Sequence, residues 1–290
     1  MDSEENEGTT LNTTCCDWHQ NRPSNYVLVP TTVAAFVAII ADLLVIYIIA
    51  KHKRLQTVIN LYILNWFICD VIFLILQPTI YAVILSRSLI DASVARIWYG
   101  EVIVLFAGNS IFVIALLLDW YLVNYLLSVS LKIRNHFKTE IMLIWLVMVV
   151  LSVYICFDNI LGKTRVWIFT VITVTLLIFC IIQILKSIKE KMPNETADIN
   201  EKTNLALLLV SSYLLCLFPA YIFNSIKIFD PDRVLDDEVE ILTELMGYLN
   251  SVFILLLLYY YDRDFKSSFK SLGRSSETDL EGNCESVEIK

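Results

Sequence analysis

The sequence predicts an all-α membrane protein, a bundle of seven transmembrane helices followed by a short amphipathic eighth helix. Of its 290 residues, 57% are hydrophobic and only 18% are charged, a balance that is not typical of soluble chains. Long apolar runs also alternate with short polar connectors, at 26–50, 58–85, 97–129, 141–157, 166–185, 205–226 and 239–261. A helix needs roughly 20 apolar residues to cross the hydrocarbon core of a bilayer. Each run is near or above that length.

The orientation of the bundle follows from its basic residues. If the seven runs cross the membrane in turn, 15 of the 22 Lys and Arg residues fall on the side of the C-terminus and 7 on the other. Cytoplasmic loops carry the positive excess, so we expect an extracellular N-terminus and a cytoplasmic C-terminus at the plasma membrane. Residues 1–25 are then an extracellular tail, in which Asn12 begins a glycosylation sequon.

Two later segments are predicted from local patterns. Pro219 lies within the sixth run, where it removes a helix hydrogen bond and is expected to produce a kink. After the seventh run, Phe265, Phe269 and Leu272 fall on one face with basic residues between them, which predicts an amphipathic helix at 262–272 along the inner leaflet. The membrane domain therefore spans 26–272, and the Ser- and Glu-rich segment 273–290 is predicted to be a disordered cytoplasmic tail.

Composition and motifs argue against several classes of function. The sequence contains no GxxxxGK[ST], GxGxxG, HExxH or CxxC motif, so we expect neither an enzyme nor a bound cofactor. The net charge is −8 and the basic residues are scattered over short loops, which argues against a nucleic-acid partner. The partner that composition does predict is the lipid bilayer.

A few polar residues fall at membrane depth, where they are costly and often functional. Asp70 lies midway along the second run, and Asn109, Asn250 and Ser251 lie at a similar depth in the third and seventh runs. These residues are predicted to form one buried cluster around a carboxylate, either as a packing contact between helices or as a switch or cation site. Asp42 in the first run either joins the cluster or is protonated.

Acidic residues mark both ends of the bundle. Asp119 lies near the cytoplasmic end of the third run and is followed by Trp120 and Tyr121; it is either a functional residue or an interfacial one beside an aromatic belt. Seven acidic residues lie within 230–244. They form either a solvated loop or a rim that attracts a cationic ligand, for which Glu244 is the expected ion-pair partner.

Taken in order, these landmarks resemble those of rhodopsin-like (class A) G-protein-coupled receptors over most of the chain. The matching residues are Asn60, Asn65 and Asp70 in the second run, Trp145 in the fourth, Asp119-Trp120-Tyr121 in the third, Cys216-Leu217-Phe218-Pro219 in the sixth and Leu249-Asn250-Ser251 in the seventh. The family's counterpart of Asp70 lies in an allosteric sodium pocket, so the resemblance implies a sodium site at Asp70.

The departures from the family pattern fall on residues that the family uses to switch. Trp120 stands where the family has an arginine, and an indole has neither the charge nor the donor fork of that group. Leu217 stands in place of the sixth-helix tryptophan, and Asp42 in place of the first-helix asparagine. The seventh-helix Asn-Pro-x-x-Tyr motif is replaced by an apolar stretch at 254–258.

The resemblance implies a receptor that senses an extracellular ligand and signals to a heterotrimeric G protein or arrestin. Asp119, Trp120 and Tyr121 are then the cytoplasmic coupling residues, and Pro219 is a pivot. The implied ligand-binding residues are Glu101, Val102, Glu244 and Tyr248. Val102 occupies the position of the amine-binding aspartate, which argues against an amine ligand, whereas the acidic rim favours a basic peptide.

Two other functions stay open. The altered switch residues favour a non-signalling decoy, scavenger or partner receptor of the same fold. A transporter or channel that passes a substrate along Asp70 is disfavoured, because the sequence lacks the internal repeats that many transporters have.

Overall fold

The computed structural model describes residues 25–85, 92–157, 164–190, 200–229 and 237–272, and these residues form helices without any β-strand among them. The helices are α1 (Asn25–Lys51), α2 (Val58–Leu85), α3 (Ala92–Tyr125), α4 (Leu127–Arg134), α5 (Phe137–Phe157), α6 (Thr164–Glu190), α7 (Asn200–Phe229), α8 (Asp237–Tyr261) and α9 (Arg263–Leu272). A 3₁₀ turn, Lys53–Leu55, follows α1. The predicted N-terminal tail with Asn12, and the predicted tail at 273–290, lie outside the described residues.

Several of these helices are long and apolar enough to cross a membrane. Five qualify outright: Val29–Lys51, Val58–Gln77, Gly100–Tyr125, Phe137–Tyr154 and Leu205–Phe223. A sixth is added if Leu245–Tyr261 and Arg263–Leu272, which meet at a bend of 103°, count as one broken span. In α6 the apolar part is shorter, Thr173–Gln183. The all-α architecture with several candidate spans agrees with the sequence, whereas seven crossings stay a prediction.

Helix α1 illustrates why these helices suit a bilayer. Its buried face carries small residues, Ala35, Ala38 and Ala41, which allow neighbouring helices to approach closely. The opposite face exposes Phe36 and Ile40, which are 63% and 51% accessible. A helix that is apolar on both its packed and its exposed faces is more stable in lipid than in water.

Helix α3 lies at the centre of the bundle, where it packs against α2, α5, α6 and α7. Helix α1 packs between α2 and α8, and α8 packs against α7. The approach of α5 to α3 depends on Gly108, since a Cβ atom there would lie 2.3 Å from Met148 Cε and 3.0 Å from Cys69 Sγ. These contacts hold the polar residues of α1, α2, α3 and α8 in one interior region.

The predicted third run differs from the structure at its C-terminal boundary. The apolar pattern continues to residue 129, but α3 ends at Tyr125 and the backbone of Leu126 leaves the helical region, with φ −135° and ψ 55°. The chain then forms α4, which the apolar pattern could not separate from α3. Helix α7, in contrast, continues through Pro219 as one unbroken helix.

The bundle has two ends, which are named after the direction of α1. The N-terminal end is where α1 begins. The C-terminal end is where α1 ends, and where α4 and α9 also lie if the long helices run alternately up and down.

Candidate functional site in the bundle interior and at its C-terminal end

The interior polar cluster is defined by Asp42 in α1, Asp70 in α2, Asn109 in α3 and Ser251 in α8. Asn109 Nδ2 donates a hydrogen bond to Asp70 Oδ1 over 2.6 Å, and Ser251 Oγ donates to Asp70 Oδ2 over 3.0 Å. Asp42 lies beside Asp70 and Ser251 and is fully buried. The structure therefore brings together Asp70, Asn109 and Ser251, which the sequence placed at similar depth. It adds Asp42, which the sequence left undecided.

Several oxygen atoms in and beside this cluster lack a hydrogen-bond partner within the described residues. They are both carboxylate oxygens of Asp42 and Oδ1 of Asn109. Asn250, the predicted fifth member, is buried next to Ser251 in α8, and its Oδ1 also lacks a partner there. Buried acceptors of this kind are costly unless a donor or cation satisfies them.

The chemistry available to the cluster is that of hard oxygen ligands. Carboxylate, amide and hydroxyl oxygens suit a small cation or ordered water rather than a transition metal. Within the described residues no group of three or more His, Cys, Asp or Glu side chains could hold a metal ion. The cluster instead combines two carboxyl groups, Asp70 and Asp42, with the neutral oxygens of Asn109 and Ser251. Oxygen ligands of this kind fit the sodium ion that the family resemblance implies.

A second polar site lies at the C-terminal end of the bundle, where Arg134 in α4 pairs with Asp119 in α3. Arg134 Nε donates to Asp119 Oδ1 over 3.0 Å, and Arg134 Nη2 donates to Asp119 Oδ2 over 2.7 Å. The carboxylate is 8% exposed and the guanidinium 31%. These bonds raise the pKa of Arg134 above its ordinary value. The bidentate geometry is the strongest form of this ion pair.

Trp120, next to Asp119, points into the bundle. It is 4% exposed, it packs edge-on against Tyr125 at 6.2 Å between ring centroids, and its Nε1 lacks a partner within the described residues. Tyr121 stacks on Tyr125 at 5.0 Å, and the Tyr125 hydroxyl donates to the carbonyl of Leu185 in α6. Trp120, Tyr121 and Tyr125 therefore form an aromatic cluster, called the aromatic plug, at the end of α3 beside the ion pair.

Further polar contacts tie α2 to α5 near this end. The Tyr62 hydroxyl donates a hydrogen bond to Glu140 Oε2. Deeper in the bundle, Trp145 Nε1 donates to Asn65 Oδ1 over 2.9 Å. Asn65 and Trp145, which carry part of the family resemblance, are thus partners in the fold.

The predicted ligand-binding residues are only partly described. Glu101 is half-buried, and its Oε2 accepts a hydrogen bond from Ser152 in α5 over 3.0 Å. Val102 is half-buried in α3 and Tyr248 is buried in α8. Glu244 belongs to α8, but its side chain lies outside those described. These observations do not assemble the four residues into one site, so the ligand pocket stays a prediction.

Two polar contacts of the structure could not be predicted from the sequence. Arg134 lies in a segment that the sequence shows only to be basic, and nothing in its spacing from Asp119 indicates an ion pair. The same holds for Arg54, whose side chain reaches Ser267 in α9. Both depend on turns of the backbone, at Leu126 and Asp262, that periodicity does not predict.

Comparison with known proteins does not assign the chain. No family model matches the sequence, and no curated protein matches it. The function has therefore to be inferred from the residues and from their contacts.

Proposed function

We propose that this protein is a divergent rhodopsin-like G-protein-coupled receptor of the plasma membrane, with an extracellular N-terminus and a cytoplasmic C-terminus. It senses an extracellular ligand, for which the acidic residues at 230–244 favour a basic peptide. It passes the signal through a shift of helices to a G protein or arrestin at the C-terminal end.

The observation that carries this proposal is the interior polar cluster. One carboxylate, Asp70, accepts hydrogen bonds from both α3 and α8, and the second carboxylate, Asp42, comes from α1. A rearrangement of α3 against α8 must break or exchange these bonds, so the cluster couples helices that a ligand would move. A cation held by the cluster would offset the repulsion between the two carboxyl groups and favour the arrangement in which they lie together.

The C-terminal end supports a closed resting state. Arg134 holds α4 against α3 through Asp119, while Trp120 and Tyr125 fill the space toward α6. Entry of an intracellular partner between these helices requires that the aromatic plug be displaced. Arg134 thus supplies, from α4, a guanidinium that the family takes from the residue beside the aspartate.

A non-signalling decoy or partner receptor of the same fold is the second candidate. The burial of Trp120 favours it, because an indole packed among apolar groups offers no charged fork to a G protein. The two candidates share the ligand-sensing bundle and differ only in what the C-terminal end does.

The test is G-protein dissociation in intact cells that express the tagged protein at the surface, with and without a panel of basic peptides. Wild type is compared with Trp120→Arg, and Trp120→Phe serves as a control that keeps an aromatic group. Activity of wild type and Trp120→Phe is the expected result for a signalling receptor. Activity of Trp120→Arg alone would identify the decoy. Silence of all three at matched surface expression, with every peptide, would contradict the receptor proposal.

A further inference from the structure

The turn after α1 is fastened to α9 by one arginine. Arg54 Nη2 donates hydrogen bonds to the hydroxyls of Ser267 and Ser268 and, over 3.2 Å, to the carbonyl of Asp264. Arg54 Nε also lies 3.8 Å from Asp264 Oδ1. This contact joins the turn after α1 to α9, two segments that are more than 200 residues apart in the chain.

Arg54 and four lysines of the two joined segments are together called the basic patch: Lys51, Lys53, Arg54, Lys266 and Lys270. The two nearby acids are already engaged. Asp262 Oδ1 accepts the backbone N–H groups of Asp264 and Phe265 at the start of α9, and Asp264 pairs with Arg54. Lys53 and Lys270 are exposed and have no ion-pair partner within the described residues. The patch therefore presents a net positive charge.

Aromatic residues place the patch at a membrane boundary. Lys51 Nζ donates to the Tyr47 hydroxyl over 2.9 Å, and Lys266 Nζ lies 5.5 Å from the centroid of the Tyr259 ring. Tyr260 and Tyr261 are 67% and 60% exposed at the end of α8. Exposed tyrosines and lysines at the ends of apolar helices are typical of the headgroup region of a bilayer.

We propose that the basic patch is a binding site for the headgroup of a polyphosphorylated inositol lipid in the cytoplasmic leaflet. Clusters of Lys and Arg that directly follow a membrane helix are typical sites for such lipids. The orientation rests on the function proposed above, but the binding itself does not require signalling.

The convergence of charges favours a headgroup with several phosphates over a singly charged one. Lys53 precedes Arg54, and Lys270 lies one helical turn beyond Ser267, so each lysine belongs to one of the two segments that the Arg54 contact joins. The Ser267 hydroxyl accepts from Arg54 and donates to the carbonyl of Asp264, so the phosphate oxygens would be bound by the basic side chains. A lipid with one negative charge can satisfy only one of these groups.

The test measures lipid retained on the purified full chain by native mass spectrometry, with phosphatidylinositol bisphosphate and phosphatidylserine as probes. Lys53→Gln/Lys270→Gln removes two charges that have no protein partner, so the contact between Arg54 and α9 stays intact. Lys132→Gln/Lys138→Gln is the matched control, because both residues are exposed basic residues outside the patch. At about a fivefold loss per removed cation, we expect the patch variant to bind phosphatidylinositol bisphosphate about 25-fold more weakly than wild type.

The control variant is expected to bind like wild type. Equal losses in the patch and control variants would overturn the site, since net charge alone would then explain the binding. Wild type that retains phosphatidylserine as strongly as phosphatidylinositol bisphosphate would overturn the choice of headgroup. If soluble inositol trisphosphate competes fully for the bound lipid, the headgroup itself is what the patch recognises; absence of competition would contradict this. None of these measurements involves a ligand or G protein, so failure of the receptor proposal would not affect them.

Discussion

Asp42 and Asp70 lie side by side in the interior, yet their hydrogen bonding is opposite. Both oxygens of Asp70 accept a hydrogen bond, whereas neither oxygen of Asp42 has a partner within the described residues. Two buried carboxyl groups that lie side by side disfavour each other's ionised form, at a cost to the fold. The pair is therefore an arrangement that a bound cation or a helix movement can relieve.

The two carboxylates should respond to substitution with opposite sign. Asp70→Asn replaces a charged acceptor of two hydrogen bonds, and we expect it to lower the free energy of unfolding by about 1 to 3 kcal/mol. Asp42→Asn replaces the second carboxyl group with an amide that can donate to Asp70, so we expect stabilisation of up to about 1 kcal/mol. Thermal unfolding of the purified variants in one detergent, without added sodium, measures both. Losses of similar size for the two variants would show that the residues are equivalent.

The ion pair at the C-terminal end gives a second expectation for single residues. Arg134→Gln leaves the buried carboxylate of Asp119 without its guanidinium, and because Arg134 is itself partly exposed we expect a loss of about 1 to 2 kcal/mol. Lys132→Gln, in the same helix, is the control and should have little effect.

A double-mutant cycle separates the pair from the single residues. Arg134→Gln combined with Asp119→Asn should cost less than the sum of the two single changes, because the interaction is lost only once. Strict additivity in thermal unfolding would mean that the two side chains do not interact in the membrane-embedded protein.

At the scale of elements, the apolar pattern predicts the long helices. Small residues such as Gly108 allow neighbouring helices to pack closely. The sequence predicts helices near the bounds found for α1, α5, α7 and α8, since each apolar run is flanked by polar connectors. It does not predict α4, because the apolar pattern of α3 continues across the turn at Leu126. Nor does it predict that Gly108 is the point at which α5 approaches α3, because side-chain packing carries no periodic signal.

Two glycines provide a matched test of helix packing. Gly108→Ala places a methyl group against Met148 and Cys69, and we expect a loss of about 1 to 3 kcal/mol. Gly247→Ala in α8 meets no atom within 4 Å, so its better helix propensity should be neutral or add up to about 1 kcal/mol. Thermal unfolding in the same detergent compares them. Gly108→Ala should cost less in a Met148→Ala background than in wild type, because the side chain that the new methyl group meets has been removed. Equal effects of the two glycine substitutions would contradict the close approach of α5.

At the scale of the whole molecule, the candidate site was only partly predictable. Depth along each run placed Asp70, Asn109 and Ser251 together, because parallel and antiparallel helices of similar length bring residues of similar depth into contact. The same reasoning left Asp42 undecided, since the rotation of α1 about its axis was unknown. The partners of Asp119 and Arg54 depend on short connecting segments, whose turns are set by tertiary contacts rather than by local sequence.

All the functional proposals depend on how many times the chain crosses the membrane. Seven crossings place α4, α9 and the basic patch in the cytoplasm, and they require α6 and α8 to cross although their apolar segments are less complete than those of the other helices. If α6 does not cross, the chain between α6 and α7 stays outside the cell. If α8 does cross in that case, the N-terminus and the C-terminus both lie outside.

The measurement that tests this most directly is antibody labelling of cells that carry one of three epitope tags, at the N-terminus, within 191–199 or at the C-terminus. We expect the N-terminal tag to be labelled on intact cells, and the other two only after the membrane is permeabilised. Labelling of the 191–199 tag on intact cells, or of both termini on the same side, would contradict the seven-helix receptor.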